Sequence, residues 1–187
     1  MNQKTPIWKL ILILNLIVYS LELFLFKESD FLYFCLNTKD IHLHQFITHQ
    51  FLHISRNHLF SNMVGLFLFG PLVENFLGRR KFLISYLFCG VIGSFFQIFY
   101  IQNTLLGASG AIFGLIGLYL IFSNKIVKTK LDYLLFFFGS SLILLELPKV
   151  ILNVKDNVGH WAHLGGVVGS IIIFLFLKYG RSSKMEV

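Results

Sequence analysis

Charge is the scarcest property of this chain. Only 13% of its 187 residues are Asp, Glu, Lys or Arg, and only nine are acidic. That excludes a solvated, disordered polymer and an ordinary soluble domain, in which about a quarter of residues are charged. Cysteine is almost absent: Cys35 and Cys89 show no framework spacing, so no disulfide is expected. There are three prolines, no low-complexity tract, no internal repeat and no linker long enough for a second domain, so one domain over 1–187 is expected. The first apolar run is not followed by a small-residue cleavage pattern, and is expected to be a retained span. No His-Glu-x-x-His sequence occurs, and the one carboxylate near the loop histidines in sequence is Asp40. His49 and His53, four apart, have zinc-like spacing, but the expectation is no metal and no cofactor.

Apolar residues fill the space that charge leaves. They make up 56% of the chain, including 22 phenylalanines, and the mean hydropathy is +0.73. Lipid as solvent explains this better than one oversized core. Six apolar segments stand out, at about 7–26, 58–77, 82–101, 108–122, 131–147 and 161–178. The expected fold class is all-α: a polytopic membrane bundle of six transmembrane helices, the fourth and fifth short. A long outer loop, Lys27–Asn57, joins the first two, and its mixed aromatic and polar content points to a packed segment. The net charge of +7 reads as orientation, not as a nucleic-acid surface. Eleven of the 16 basic residues fall on one side, at Lys4 and Lys9, Arg79 to Lys81, Lys125 to Lys130, and Lys178 to Lys184. Lys27, Lys39, Arg56, Lys149 and Lys155 fall on the other. The positive-inside rule then makes both termini cytoplasmic, in the cell's inner or plasma membrane.

That topology brings scattered polar residues to one level. His58 and Asn62 come to the outer end of the second span, Ser109 to that of the fourth and His163 to that of the sixth. Polar groups at this depth are costly and usually face a bundle interior or a wet cavity. Ser109 follows the polar stretch Gln102-Asn103-Thr104 and is flanked by Gly107, Gly110 and Gly114. In the sixth segment, Gly165/Gly169 and Gly166/Ser170 are small pairs four apart, and Gly166 and Ser170 lie within about 60° of His163 on the helix wheel. Both are small-xxx-small seams that let helices touch, so each brings one reactive residue to the top of a close contact. Histidine is the usual base for a serine nucleophile.

These residues give the chain its likeness to a known family. Gly107-Ala108-Ser109-Gly110, Ala162-His163-Leu164-Gly165-Gly166, His58-x-x-x-Asn62 with His49 and His53 upstream, and Gly70-Pro71-Leu72-Val73-Glu74 followed by Gly78-Arg79 stand in order. Together, over about Gln45 to Ser170, the chain resembles the rhomboid intramembrane serine proteases of bacterial type. The resemblance implies a Ser109–His163 dyad without an aspartate. It also implies oxyanion stabilisation by His58, Asn62 and the Ser109 N–H, in a site opening to the outer side. Transmembrane protein substrates are the implied partners, and Gln45, His49 and Gln97 could border a route for water. A catalytically silent rhomboid-like protein that binds transmembrane helices for quality control is the alternative. Three positions depart from the family pattern: His44-Gln45 where Trp-Arg is frequent, Phe113 where tyrosine is common, and Ser170 where glycine is usual.

Overall fold

Nine helices account for most of the described part of the computed structural model, which covers residues 4–100, 104–154, 156 and 158–179. They are α1 (Ile7–Phe24), α2 (Glu28–Phe34), α3 (Gln45–Thr48), α4 (Arg56–Leu77), α5 (Arg79–Tyr100), α6 (Ser109–Ile121), α7 (Ser123–Ile126), α8 (Lys130–Ile151) and α9 (His160–Tyr179). A 3₁₀ turn, His49–Phe51, follows α3. No strand occurs among the described residues; an isolated antiparallel bridge joins Leu36 and Leu105. Gln102, Asn103, Lys155, Arg181 and Lys184 lie outside the described residues.

Five helices, α1, α4, α5, α8 and α9, are long and apolar enough to cross a membrane. The shorter α6 has thirteen residues, about 20 Å at 1.5 Å per residue. It is apolar all round, and nine of its residues are buried, as expected for a helix enclosed by others. By contrast, α1 and α8 have outward faces rich in exposed apolar side chains such as Ile13, Ile17, Phe24, Leu134 and Phe137, surfaces suited to lipid.

The fifth apolar segment is longer than the sequence suggested. It runs for 22 residues, not the expected 17 or so, because the helix continues through Pro148 to Ile151. Its start is fixed by a capping box in which Asp132 N–H donates to Thr129 Oγ1 and Thr129 N–H donates to the Asp132 carboxylate. Elsewhere the bounds move by a few residues: Ser55 caps α4 by accepting the His58 N–H, so that helix begins at Arg56. Gly78, at φ +78°, turns the chain from α4 straight into α5.

Two sets of contacts assemble the bundle. At one end, the buried Glu74 carboxylate accepts the Ile7 and Trp8 N–H groups at 2.9 and 2.8 Å, and Arg79 donates to the carbonyls of Lys4 and Thr5. Orphan donors at the start of α1 are thereby satisfied from the α4–α5 corner. In the middle, α5, α6 and α9 pack backbone to backbone. A Cβ on Gly166 would lie 2.0 Å from the Gly110 carbonyl oxygen, and one on Gly165 would lie 2.8 Å from the Gly93 Cα. Gly117 faces the buried Ser170 in the same α6–α9 seam. The two small-residue faces of α9 thus serve two neighbours, Gly165/Gly169 toward α5 and Gly166/Ser170 toward α6.

The segment between α1 and α4 is packed, with Cys35, Leu36 and Leu52 buried. Gln45 holds it together: its Oε1 accepts the Asn37 and His42 N–H groups, and its Nε2 donates to the Tyr33 carbonyl. Phe46 packs against Phe95 of α5 with ring centroids 4.9 Å apart, and Gln50 donates to the Leu87 carbonyl.

Candidate active site

Ser109 is the first residue of α6, where the leading N–H groups of a helix have no intrahelical acceptor. The preceding turn depends on Gly107, whose φ of +113° is a left-handed conformation that favours glycine. The Gly107 N–H donates to the His49 carbonyl at 2.8 Å, which fixes the approach to Ser109. A side chain at Gly107 has no room. Its Cβ would fall 2.6 Å from His58 Cε1, 2.7 Å from His58 Nε2 and 3.6 Å from Asn62 Nδ2. The edges of His58 and Asn62, one turn apart on α4, therefore border the loop that delivers Ser109.

His163 approaches from α9. It is buried, and its ring stacks on Phe113, one turn after Ser109, with centroids 4.1 Å apart and planes 7° apart. The Gly110–Gly166 contact is what lets the two helices come this close. Phe113 provides the stacking face even without a hydroxyl.

The remaining polar residues form supports around this centre. Asn62 Nδ2 lies 2.9 Å from His53 Nε2, and the His53 N–H donates to the Glu22 carboxylate of α1. Ser94 Oγ donates to the Gly90 carbonyl, so the 2.6 Å contact with His49 Nε2 requires that nitrogen to carry the hydrogen. Burial pushes the His49 pKa down to about 3. Burial also lowers that of His53, to about 4, with the nearby His58 acting in the same direction. Both are neutral rings. Gln97 is buried on α5, and its Oε1 accepts the Ala162 N–H at 3.2 Å, supporting the first turn of α9. Of the residues singled out from sequence, Ser109, His58, Asn62 and His163 border one region, and His49 and Gln97 brace it. Gln45 lies further out, within the loop.

The zinc-like pair His49/His53 is divided between separate partners, Ser94 and Asn62. Among the described residues, Glu146, His160 and His163 are the set of three metal-type donors within mutual reach, their ligand atoms within 4.8 Å of one another. Sequence reasoning missed Glu146 and gave no role to His160, which opens the sixth apolar segment beside His163. It also looked for carboxylates only near the loop histidines, where Asp40 stands. A signal was present: Glu146 is a lone acid within the apolar run Ile143-Leu144-Leu145-Glu146-Leu147, and an ionisable group at that depth implies a partner.

Residues 41–179 match the family model of the rhomboid domain. The chain belongs to the rhomboid family. With its apolar helices, that makes it an integral membrane protein. YdcA of Bacillus subtilis strain 168, whose name carries the rhomboid-protease label provisionally, is 33% identical over 134 residues, covering 68% of this chain and 63% of YdcA. The rhomboid protease GlpG of Haemophilus influenzae is 26% identical over 161 residues, covering 83% of both chains. Rhomboid-like protein 11 of Arabidopsis thaliana, a chloroplast protein, is 30% identical over 158 residues, covering 75% of this chain and 55% of that protein. This rhomboid-family chain thus spans less than two thirds of the length of YdcA and of the Arabidopsis protein. Of these relatives, GlpG bears the name of rhomboid protease and the Arabidopsis protein that of a rhomboid-like protein.

Proposed function

We propose that this chain is an intramembrane serine endopeptidase that hydrolyses peptide bonds in or near transmembrane segments of membrane proteins. Ser109 is the nucleophile and His163 the general base. The observation that carries this reading is the α6–α9 seam: Gly110 against Gly166, with the His163 ring stacked on Phe113 one turn from Ser109. In the acylation step the Ser109 hydroxyl proton passes to His163 Nε2 as Oγ bonds to the scissile carbonyl carbon. His163 then returns that proton to the departing amine. Water repeats the sequence on the acyl-enzyme, releasing the new carboxyl end and restoring Ser109. Negative charge on the carbonyl oxygen falls to the Ser109 N–H, His58 and Asn62, donors held in advance by the Gly107 turn and by the His53–Asn62 contact.

The architecture we assign is one domain over 1–187 with six spans, α6 being the fourth, both termini cytoplasmic and the site opening outward. The proposed water path is bordered by Gln45, His49 and Gln97. Each already has a protein partner, so their part is to keep the border polar. Substrates are transmembrane proteins, and no cofactor is required.

Purified protein in detergent or liposomes tests the reading on a transmembrane reporter. Ser109→Ala and His163→Ala should each abolish cleavage, and the double variant should be no worse than either, since residues acting as a unit are not additive. Cleavage by Ser109→Ala protein would refute the serine mechanism. Loss of activity on chelation, with Ser109→Ala still active, would instead assign the chemistry to a metal on Glu146, His160 and His163. A wild-type protein that binds the reporter and never cuts it would be the silent relative.

A further inference from the structure

Glu146 has no part in the scheme above, yet α8 carries it into the protein. Its side chain is only 9% exposed. Oε2 lies 2.6 Å from Nδ1 of His160 and 3.2 Å from Nδ1 of His163. The other His160 nitrogen, Nε2, lies 3.0 Å from the Asp156 carboxylate just before α9. One buried carboxylate thus faces the inner nitrogen of two histidines three residues apart on α9, and a second carboxylate fixes the first of those rings from outside.

The arrangement has a chemical consequence for His163. A carboxylate only accepts, so a hydrogen facing it must sit on the histidine nitrogen. With that hydrogen on Nδ1, a neutral imidazole has its lone pair on Nε2, the nitrogen on the opposite side of the ring from Glu146. Phe113 covers one face of the ring and prevents it from tipping out of this plane. The 3.2 Å contact is bent, and His163 Nδ1 has no well-aligned partner in this resting arrangement. Catalytic hydrogen bonds are often misaligned before substrate binds and tighten afterwards. His160 takes the straighter, shorter contact and keeps the carboxylate at that point.

We propose that Glu146 is a positioning residue for the base, a third member that converts the dyad of this chain into a Ser109–His163–Glu146 array. It holds the hydrogen on His163 Nδ1, leaves Nε2 free for the Ser109 proton, and offsets the positive charge the ring acquires. His160 and Asp156 hold Glu146 in turn. This inference rests on His163 being the base, and the test separates the two.

The rival role for Glu146 is a brace, tying α8 to α9 through His160 alone. Wild-type, Ser109→Ala, Glu146→Gln and His160→Gln proteins are compared on a transmembrane reporter and with a fluorophosphonate probe that labels an activated serine. Glu146→Gln keeps the side-chain volume and removes the charge. Its kcat should fall at least tenfold, within the roughly 10⁴-fold that neutralising the acid costs in a Ser-His-Asp triad. KM should stay within about twofold, and probe labelling should slow by the same factor as kcat. His160→Gln, whose amide still offers Glu146 a donor to hold it near His163, should lose clearly less. A Glu146→Gln protein with wild-type kcat, one that loses only through KM, or a His160→Gln protein equally impaired would overturn the proposal. If Ser109→Ala is still active, the dyad itself fails. Should Glu146→Gln not fold, Glu146→Asp replaces it: the shorter carboxylate retreats from both rings, and the same kcat loss at unchanged KM is expected.

Discussion

Substituting Gly166 by alanine is the sharpest test of the idea that the α6–α9 seam sets the reacting geometry. The added Cβ would lie 2.0 Å from the Gly110 carbonyl oxygen, 2.9 Å from its carbonyl carbon and 3.2 Å from the Gly114 nitrogen. Carbon and oxygen in close contact sit about 3.3–3.6 Å apart, so the helices must separate or rotate by roughly 1.3 Å. All three obstacles are backbone atoms, so no side chain can swing aside. Overpacking of this kind typically costs about 1–3 kcal/mol, and this case belongs at the upper end because only whole-helix movement relieves it. His163 lies three residues before Gly166 and moves with it. A misplacement of about 1 Å can cost on the order of 10²-fold in rate. Cleavage of a transmembrane reporter and fluorophosphonate labelling should therefore both fall about 100-fold, with a lower melting temperature. The control is Gly78→Ala: nothing lies within 4 Å of its Cβ, but its φ is +78°. It should cost about 1–3 kcal/mol in backbone strain and leave the rate alone. A Gly166→Ala protein within threefold of wild-type rate would refute the link between seam and site.

Other perturbations separate the remaining parts. His58→Ala and Asn62→Ala should lower kcat by at most about 10²-fold with little change in KM, since each removes one donor among three; steady-state kinetics on the reporter decide this. The loop should loosen in acid: His49 and His53 have folded pKa values of about 3 and 4 against about 6.5 when exposed. Stability is then full above pH 6.5 and falls with pH, by about 2 kcal/mol per histidine at pH 5, until the folded values are reached. Hydrogen exchange over residues 25–55 should rise between pH 7 and 5, and unchanged protection would refute the neutral-ring assignment. Cysteines replacing exposed Lys39 and Lys128 should label from outside and inside the cell respectively, on a background kept low because Cys35 and Cys89 are buried. The reverse pattern would invert the proposed orientation.

Much of this was legible in the residues, for identifiable reasons. Long apolar runs and small-residue spacings are local signals, so the helices and the two faces of α9 could be read directly from sequence. The end of α8 could not. Pro148 stops a helix only when its surroundings do not hold the last turn, and here Leu152 N–H still reaches the Pro148 carbonyl. The supports were illegible for a different reason: Glu22 with His53, Ser94 with His49 and Glu146 with His160 are 31, 45 and 14 residues apart. No periodicity connects them. What the sequence does show is that each is a polar residue in an apolar setting, which implies some partner without saying which.

Those long-range partners explain why several histidines surround Ser109 when the proposed chemistry calls for only one as a base. A membrane site needs donors held in place without the help of bulk water, and a neutral imidazole can span two elements through ring and backbone at once. His49 does this between Ser94 and the Gly107 N–H, and His53 does it between Asn62 and Glu22. Each connects a scaffold helix to a group bordering Ser109, so the loop between α1 and α4 is a structural wall of the site as well as its cover. Burial of these rings is what keeps them neutral, and a neutral ring lets Nε2 donate to Ser94 in His49 and accept from Asn62 in His53. The same burial makes the wall sensitive to acid. Rigidity around Ser109 and lability of the loop at low pH therefore have a common physical origin, and neither can be altered at His49 or His53 without altering the other.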